Sequence, residues 1–133
     1  MNSFPLEIVT PDGLIYSNTV ESVLVRTTSG DVEILAGHLD LIATLAVGRT
    51  KISKSGEEKY ASSQGGFIAV DSGKVRIVAT TFEFSDQIDV ERAVKAKDEA
   101  ERRMTLAKND KDVALAEAKL KRALNRISVS KYR

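Results

Sequence analysis

The chain has 133 residues, 20 Lys and Arg against 19 Asp and Glu, a single His and no Cys, for a formal net charge of +1. That length allows one or two small domains. The absence of Cys excludes disulfides, thiol catalysis and thiolate zinc sites, and one His leaves too few imidazoles for a His-based metal site, so most enzyme classes fall away. No run approaches the roughly 18 apolar residues of a membrane span. Residues 1–4 lead into a strand-like pattern without the basic region and apolar core of a signal peptide, so a protein neither integral to a membrane nor secreted is expected.

The overall charge hides a division. Residues 1–86 hold 7 basic and 11 acidic side chains, a net of −4, whereas residues 87–133 hold 13 and 8, a net of +5. All eight Gly and both Pro precede position 74, which confines the strong turn signals to the first part. There, short β-branched runs recur at the spacing of an all-β sandwich or barrel: 4–10, 14–16, 20–28, 31–35, 40–46, 48–53, 59–63, 67–71 and 74–84. Pro11-Asp12-Gly13, Ser55-Gly56 and Ser72-Gly73 supply turn chemistry between them. In the last run Val75, Ile77 and Ala79 alternate with Arg76, Val78 and Thr80, the period of a strand with two unlike faces. Nearly ninety residues suffice for a sandwich that folds alone, so 1–86 is expected to be an all-β sandwich domain.

From Asp89 the period changes. Ala93, Ala96, Ala100, Met104 and Ala107 recur at steps of three and four, as do Val113, Ala116, Leu120, Ala123, Leu124 and Ile127. The polar stretch 108–112 separates them and offers Asp110 or Asp112 as an N-cap. The pattern predicts an α-helical hairpin over 87–133, with two helices of about four to five turns. Alanine stripes allow close approach but bury little area, so such a hairpin must lean on the sandwich or on a partner. Two options of similar free energy would make it a switch.

His38 precedes Asp40 in Gly37-His38-Leu39-Asp40, which admits a small hydrolase with a His-Asp arrangement; a loop His that bonds locally or meets a partner is the plainer expectation. No Gly-x-x-x-x-Gly-Lys-Ser/Thr loop exists, and Gly65-Gly66 reads as a bend or bulge. Lys119, Arg122 and Arg126 share one side of the second helix, with Lys111 at its start. From position 119 onward there are six basic residues and no acidic one. A solvated face would explain this, but the imbalance favours an acidic protein surface as partner. Nucleic acid is not expected, because the tail has one aromatic, Tyr132, and its first helix carries Asp98, Glu99 and Glu101. Asp89 and Arg92, three apart at a helix start, read as an N-cap and a surface pair.

Taken in order, several short segments resemble the epsilon subunit of the bacterial F-type ATP synthase over the entire chain. They are Val9-Thr10-Pro11-Asp12-Gly13, Ser29-Gly30, Gly37-His38, Gly65-Gly66-Phe67, Ile88-Asp89-Val90-Glu91-Arg92-Ala93 and Leu120-Lys121-Arg122-Ala123-Leu124-Asn125-Arg126. The resemblance implies a ten-stranded sandwich seated on the gamma subunit and the c ring, followed by a two-helix hairpin. It implies a non-catalytic rotor subunit, peripheral to the cytoplasmic face of the bacterial plasma membrane, that couples ion flow to rotation and opposes ATP hydrolysis. The extended hairpin would bring Lys119, Arg122 and Arg126 to an acidic segment of the catalytic beta subunit, and Asp31 and His38 would lie in the loop facing gamma and the c ring. No cofactor is implied beyond a regulatory ATP, for which Glu83, Ile88, Asp89, Arg92, Ala93, Arg122 and Arg126 match the family's pocket. Glu99 departs from it by standing where a basic residue of the pocket is found. Asp40 departs at a position that is usually Pro, and Asp31-Val32-Glu33 replaces Glu-Leu-Gly. The alternative is a free-standing binding module whose basic tail docks on an acidic protein surface.

Overall fold

In the computed structural model, which describes residues 2–132, the chain forms two units that part between Phe84 and Ser85. Ten strands build the first: Phe4–Thr10 (β1), Gly13–Val20 (β2), Ser22–Thr27 (β3), Gly30–Leu35 (β4), Leu41–Thr44 (β5), Gly48–Lys54 (β6), Glu57–Gln64 (β7), Phe67–Asp71 (β8), Lys74–Val78 (β9) and Thr81–Phe84 (β10). They form two five-stranded sheets, ordered β2-β1-β9-β8-β5 and β10-β7-β6-β3-β4. Only β1 and β9 pair in parallel among the assigned strand pairs. Alternation decides what lies between the sheets. In β1, Phe4, Leu6 and Ile8 are buried while Pro5 faces out, and in β9 Val75 and Ile77 are buried on either side of exposed Arg76. Leu6, Ile8, Val23, Ile34, Ile52, Ile68 and Ile77 form the centre of this core. Each contributes about 1.5–3 kcal/mol by leaving water, so the first unit has ample apolar burial of its own.

The run expected at 74–84 is two strands in different sheets. The Ala79 N–H still donates to the Val9 carbonyl, 2.9 Å, on the β1 side, but by Thr81 the chain pairs with Gln64 of the other sheet. Gly66 makes room for this crossing: its φ is +82°, and a Cβ there would overlap the Val78 carbonyl. The expected bend at Gly65-Gly66 is therefore a close passage of one backbone over another. A second crossing divides the run expected at 20–28, since Val20 ends β2 and β3 begins at Ser22. Between them Glu21 donates its N–H to the Ser53 carbonyl, 2.9 Å, and accepts the Ser55 N–H on its carboxylate, 2.6 Å. The run expected at 14–16 extends to Val20 as an edge strand whose Ser17, Asn18 and Thr19 are exposed.

The second unit opens with a 3-10 turn, Ser85–Gln87, followed by Val90–Leu106 (α1) and Asp110–Ser130 (α2). At 21 residues α2 is longer than expected, close to six turns. Its N-cap is Asn109 rather than Asp110 or Asp112: Asn109 Oδ1 accepts the Asp112 N–H, 2.9 Å, and its amide donates back to the Asp112 carboxylate, 3.2 Å. Ala93 and Ala100 are buried on α1, Ala116 and Ala123 on α2. Ala100 and Ala116 lie eight residues either side of Lys108, and Ala93 and Ala123 lie fifteen, so alanines meet at matching heights of an antiparallel pair. Ala96 and Leu124, expected on the apolar stripes, are exposed, while Met104, Ala107, Val113, Leu120 and Ile127 are half-buried.

Two outcomes follow for the sandwich. Gly66→Ala should destabilise it by more than about 1 kcal/mol in urea unfolding, because the added methyl meets backbone and φ is positive; unchanged stability would contradict the crossing. A fragment of residues 1–86 should unfold cooperatively, and a gradual, non-cooperative loss of structure would show that the core needs the helices.

Candidate functional site

Two exposed surfaces gather the candidate residues. The first is the outward side of the β3–β4 hairpin together with the 36–40 loop, which leaves β4 at the end away from the hairpin turn. Asp31 stands opposite Arg26 in the β3–β4 register, and its carboxylate accepts from Arg26 Nε at 2.6 Å and Nη2 at 3.4 Å. Gly48 leaves the space that the Arg26 stem fills, since a Cβ there would overlap Arg26 Cβ. This surface therefore offers a neutral Arg26–Asp31 pair rather than an isolated acid, and being half exposed the pair adds under about 1 kcal/mol.

The His38 N–H donates to the Leu35 carbonyl at 3.2 Å, and its ring Nδ1 lies 2.7 Å from the Leu39 carbonyl oxygen. A carbonyl only accepts, so Nδ1 carries the proton and donates. Asp40 does not orient this ring. Its Oδ1 accepts the Ser72 N–H instead, 3.0 Å, from the turn between β8 and β9. A hydrolase built on His38 would need a carboxylate-oriented imidazole beside a nucleophile, and this geometry does not form it. Leu35 at the end of β4, Leu39 in the loop and Ile42 on β5 expose 53%, 84% and 78% of their surface. None of the three is among the candidates of the sequence. Leu35 follows inward Ile34 and Ile42 follows inward-leaning Leu41, so the two-residue period already pointed both outward.

The second surface belongs to the helices. Asp89 is the N-cap of α1, as its spacing from Arg92 suggested: Oδ1 accepts the Arg92 N–H at 3.1 Å, and the Asp89 carbonyl accepts the Ala93 N–H at 3.0 Å. Ile88 and Ala93 are buried, and Arg92 is exposed. On α2 Lys119 is exposed while Arg122 and Arg126, one turn apart, are half-buried beside Ala123, so the basic face borders the alanine seam. Glu83 lies in the first unit, half-buried on β10 opposite Ser62 of β7. Arg133, counted in the basic tail, lies outside the described residues.

Glu99 accepts from Arg102 Nη2 at 2.7 Å and Nε at 3.2 Å, and from Arg103 Nε at 3.0 Å. These bonds, Arg102 first and then Arg103, hold its carboxyl below the usual carboxylate range. Overlapping it on the same helix, the bond from Lys97 to Glu101, 3.1 Å, raises the lysine. At the connector, Arg103, Leu106, Leu115 and Lys119 line an open groove of about 290 Å³. Among the described residues no three His, Cys, Asp or Glu cluster as a metal site, and no helix is long and apolar enough to cross a membrane.

The model of the ATP synthase delta/epsilon chain β-sandwich domain matches residues 3–85, and that of the delta/epsilon chain long α-helix domain matches residues 86–131. The chain belongs to the ATP synthase delta/epsilon chain family. Its similarity to ATP synthase epsilon chains runs end to end: 43% identity to that of Bacillus pumilus over 98% of both chains, and 41% to that of Bacillus velezensis over 98% of both. The fold resembles a chain of the Euglena gracilis mitochondrial ATP synthase, with a TM-score of 0.82 at 24% identity over 94% of this chain and 79% of that one. It also resembles one from the central stalk and c ring of the Tetrahymena thermophila enzyme, with a TM-score of 0.70 at 12% identity over 95% of both. The ten strands and two helices are those that the resemblance to an epsilon chain implied.

The charge network on α1 sets a pH dependence. Glu99, with its pKa lowered, contributes order that is present above its unfolded value, about 4.3, and is lost as pH falls through the folded one. Lys97, with its pKa raised, contributes below its unfolded value and loses that contribution only in strong alkali. The Arg102 and Arg103 side-chain NMR signals should therefore respond in acid with a midpoint below the usual carboxylate range, and Glu99→Gln should remove that component; an identical acid response in the variant would contradict the assignment.

Proposed function

We infer that this chain is a non-catalytic central-stalk subunit of an F-type ATP synthase. Its sandwich couples ion flow through the c ring to ATP synthesis, and its hairpin restrains ATP hydrolysis. The observation that carries this reading is end-to-end similarity to ATP synthase epsilon chains, with sandwich and long-helix domains matched in that order. The partners are gamma and the c ring for the sandwich and the catalytic beta subunit for the helices. Membrane attachment, at the cytoplasmic face, is then peripheral and passes through the complex. We propose 86/87 as the boundary between coupling and restraint.

The exposed side chains of Leu35, Leu39 and Ile42 support the sandwich contact, with His38 in the same loop and the Arg26–Asp31 pair further along the β3–β4 hairpin. Apolar side chains supply affinity once water is excluded, and the polar groups beside them fix orientation. On α2, Lys119, Arg122 and Arg126 suit an acidic segment of the beta subunit, and such complementarity weakens with salt. Replacing all three by Ala should raise the hydrolysis rate of the assembled complex at low salt. An unchanged rate would sink the restraint assigned to this face.

A regulatory ATP is proposed for the hairpin residues. Ile88 and Ala93 supply buried apolar surface, Arg92 an exposed guanidinium, and Arg122 and Arg126 two forks one turn apart for phosphate oxygens. Asp89 already caps α1 through Oδ1, which leaves Oδ2 to meet the base. Glu99 is less repulsive than its charge alone implies, because two arginines hold it. ATP that binds only the closed hairpin stabilises it by about 2.7 kcal/mol at a concentration of 100 times the dissociation constant. Calorimetric titration of the isolated chain should give a weak, saturable response that Arg122→Ala or Arg126→Ala abolishes and Glu99→Arg strengthens. No response at millimolar ATP would leave Asp89 and Arg92 as a helix start only.

A further inference from the structure

The loop that carries exposed Leu39 is short of regular structure, since residues 38–40 belong to no strand or turn. Leu39 at its tip is the most exposed of the large apolar side chains in the chain's described residues. A free loop of this kind would lose conformational entropy on meeting a partner, which weakens binding unless something orders it beforehand. Two contacts order it from within: the His38 N–H to the Leu35 carbonyl and the His38 ring to the Leu39 carbonyl. A third reaches across the fold. Asp40 Oδ1 accepts the N–H of Ser72, 32 residues away in the chain, at 3.0 Å.

Ser72 is a firm anchor. With φ +52° it shares the β8–β9 turn with Gly73 at +83°, and that turn joins strands in register from Asp71↔Lys74 to Phe67↔Val78. On the other side of Asp40, β5 begins at Leu41, whose partner Val70 lies two residues before Ser72. The carboxylate thus ties the last loop residue to the turn that its own strand runs beside. An ionised acceptor on a backbone N–H makes a stronger bond than a neutral one.

We propose that Asp40 is a positioning residue that preorganises the 38–40 loop, and with it exposed Leu39, for the rotor surface on which the sandwich sits. This rests on the proposed seating of the sandwich on the assembled gamma and c-ring rotor. Asp40 need not touch the partner; it acts through the loop it holds. Asparagine keeps an acceptor oxygen at the same place, so Asp40→Asn preserves the tie, whereas Asp40→Ala removes it.

The test uses the full chain and an ATP synthase complex stripped of it. Asp40→Ala should speed hydrogen exchange of the Ser72 amide by about threefold to tenfold and weaken rebinding to the stripped complex by a similar factor, with the thermal midpoint little changed. Asp40→Asn should restore both. If Ser72 exchange and affinity both stay at the wild-type level in Asp40→Ala, the tie has no role and the proposal fails. Faster exchange without weaker binding, while Leu39→Asp does weaken binding, would overturn the positioning role and leave the contact reading standing. Faster exchange with Leu39→Asp also harmless would overturn the contact reading, and the proposal with it.

Discussion

The helical half of this protein is held together by alanine. Ala93, Ala100, Ala116 and Ala123 let two backbones approach closely, but each removes only a methyl group from water, worth about 0.8 kcal/mol against the 1.5–3 of a buried Leu or Ile. Of the described bulky apolar side chains of the pair, Leu106, Leu115 and Leu124 are exposed, Met104, Leu120 and Ile127 are half-buried, and Val129 alone is fully buried, near the end of α2. Caps at Asp89 and Asn109 and surface ion pairs keep each helix intact without tying the two to each other. Strong helices with a thin mutual seam are what a regulatory hairpin needs, because separating them costs little and leaves each helix formed. The basic face at the border of that seam gives separation a direction, toward acidic surfaces.

The sandwich follows the opposite rule. Its core is built from fully buried Leu6, Ile8, Ile34, Ile52, Ile68 and Ile77, so losing its fold would expose far more apolar surface than opening the hairpin. The two sheets are stitched by strands that change sheet, at Glu21 and at 79–80. The result is a frame that can carry exposed apolar side chains on its surface without their collapsing inward. Stability and regulation are thereby kept in separate parts of one chain.

Much of this was legible in the sequence because it follows from period and turn chemistry. Two-residue alternation located the strands, and the loss of Gly and Pro after position 74 with the change of period at Asp89 located the helices. The misses have physical causes. Alternation of Val75, Ile77 and Ala79 continues smoothly into the sheet crossing, so one strand was expected where there are two, and only the crowding at Gly66 reveals the break. Asp110 and Asp112 carry the stronger charge, yet Asn109 caps α2 because it stands outside the helix, with φ −148° and ψ 166°. Ala96 fits a three-residue step but falls on the exposed side of a seam that advances by seven. Of the candidate sites, Asp89 was read correctly as a cap, whereas the Arg26–Asp31 pair depends on strand register and the Asp40–Ser72 tie on a contact 32 residues apart. No local pattern encodes either.

The central claim is that coupling belongs to the sandwich and restraint to the hairpin. Reconstituting a depleted ATP synthase in vesicles with the full chain, with residues 1–86, or with neither, and recording ATP-driven ion pumping alongside hydrolysis, tests it directly. The account predicts that residues 1–86 restore pumping as fully as the intact chain does while hydrolysis runs faster than with the intact chain. Failure of residues 1–86 to restore pumping, or equal hydrolysis with and without the hairpin, would contradict it.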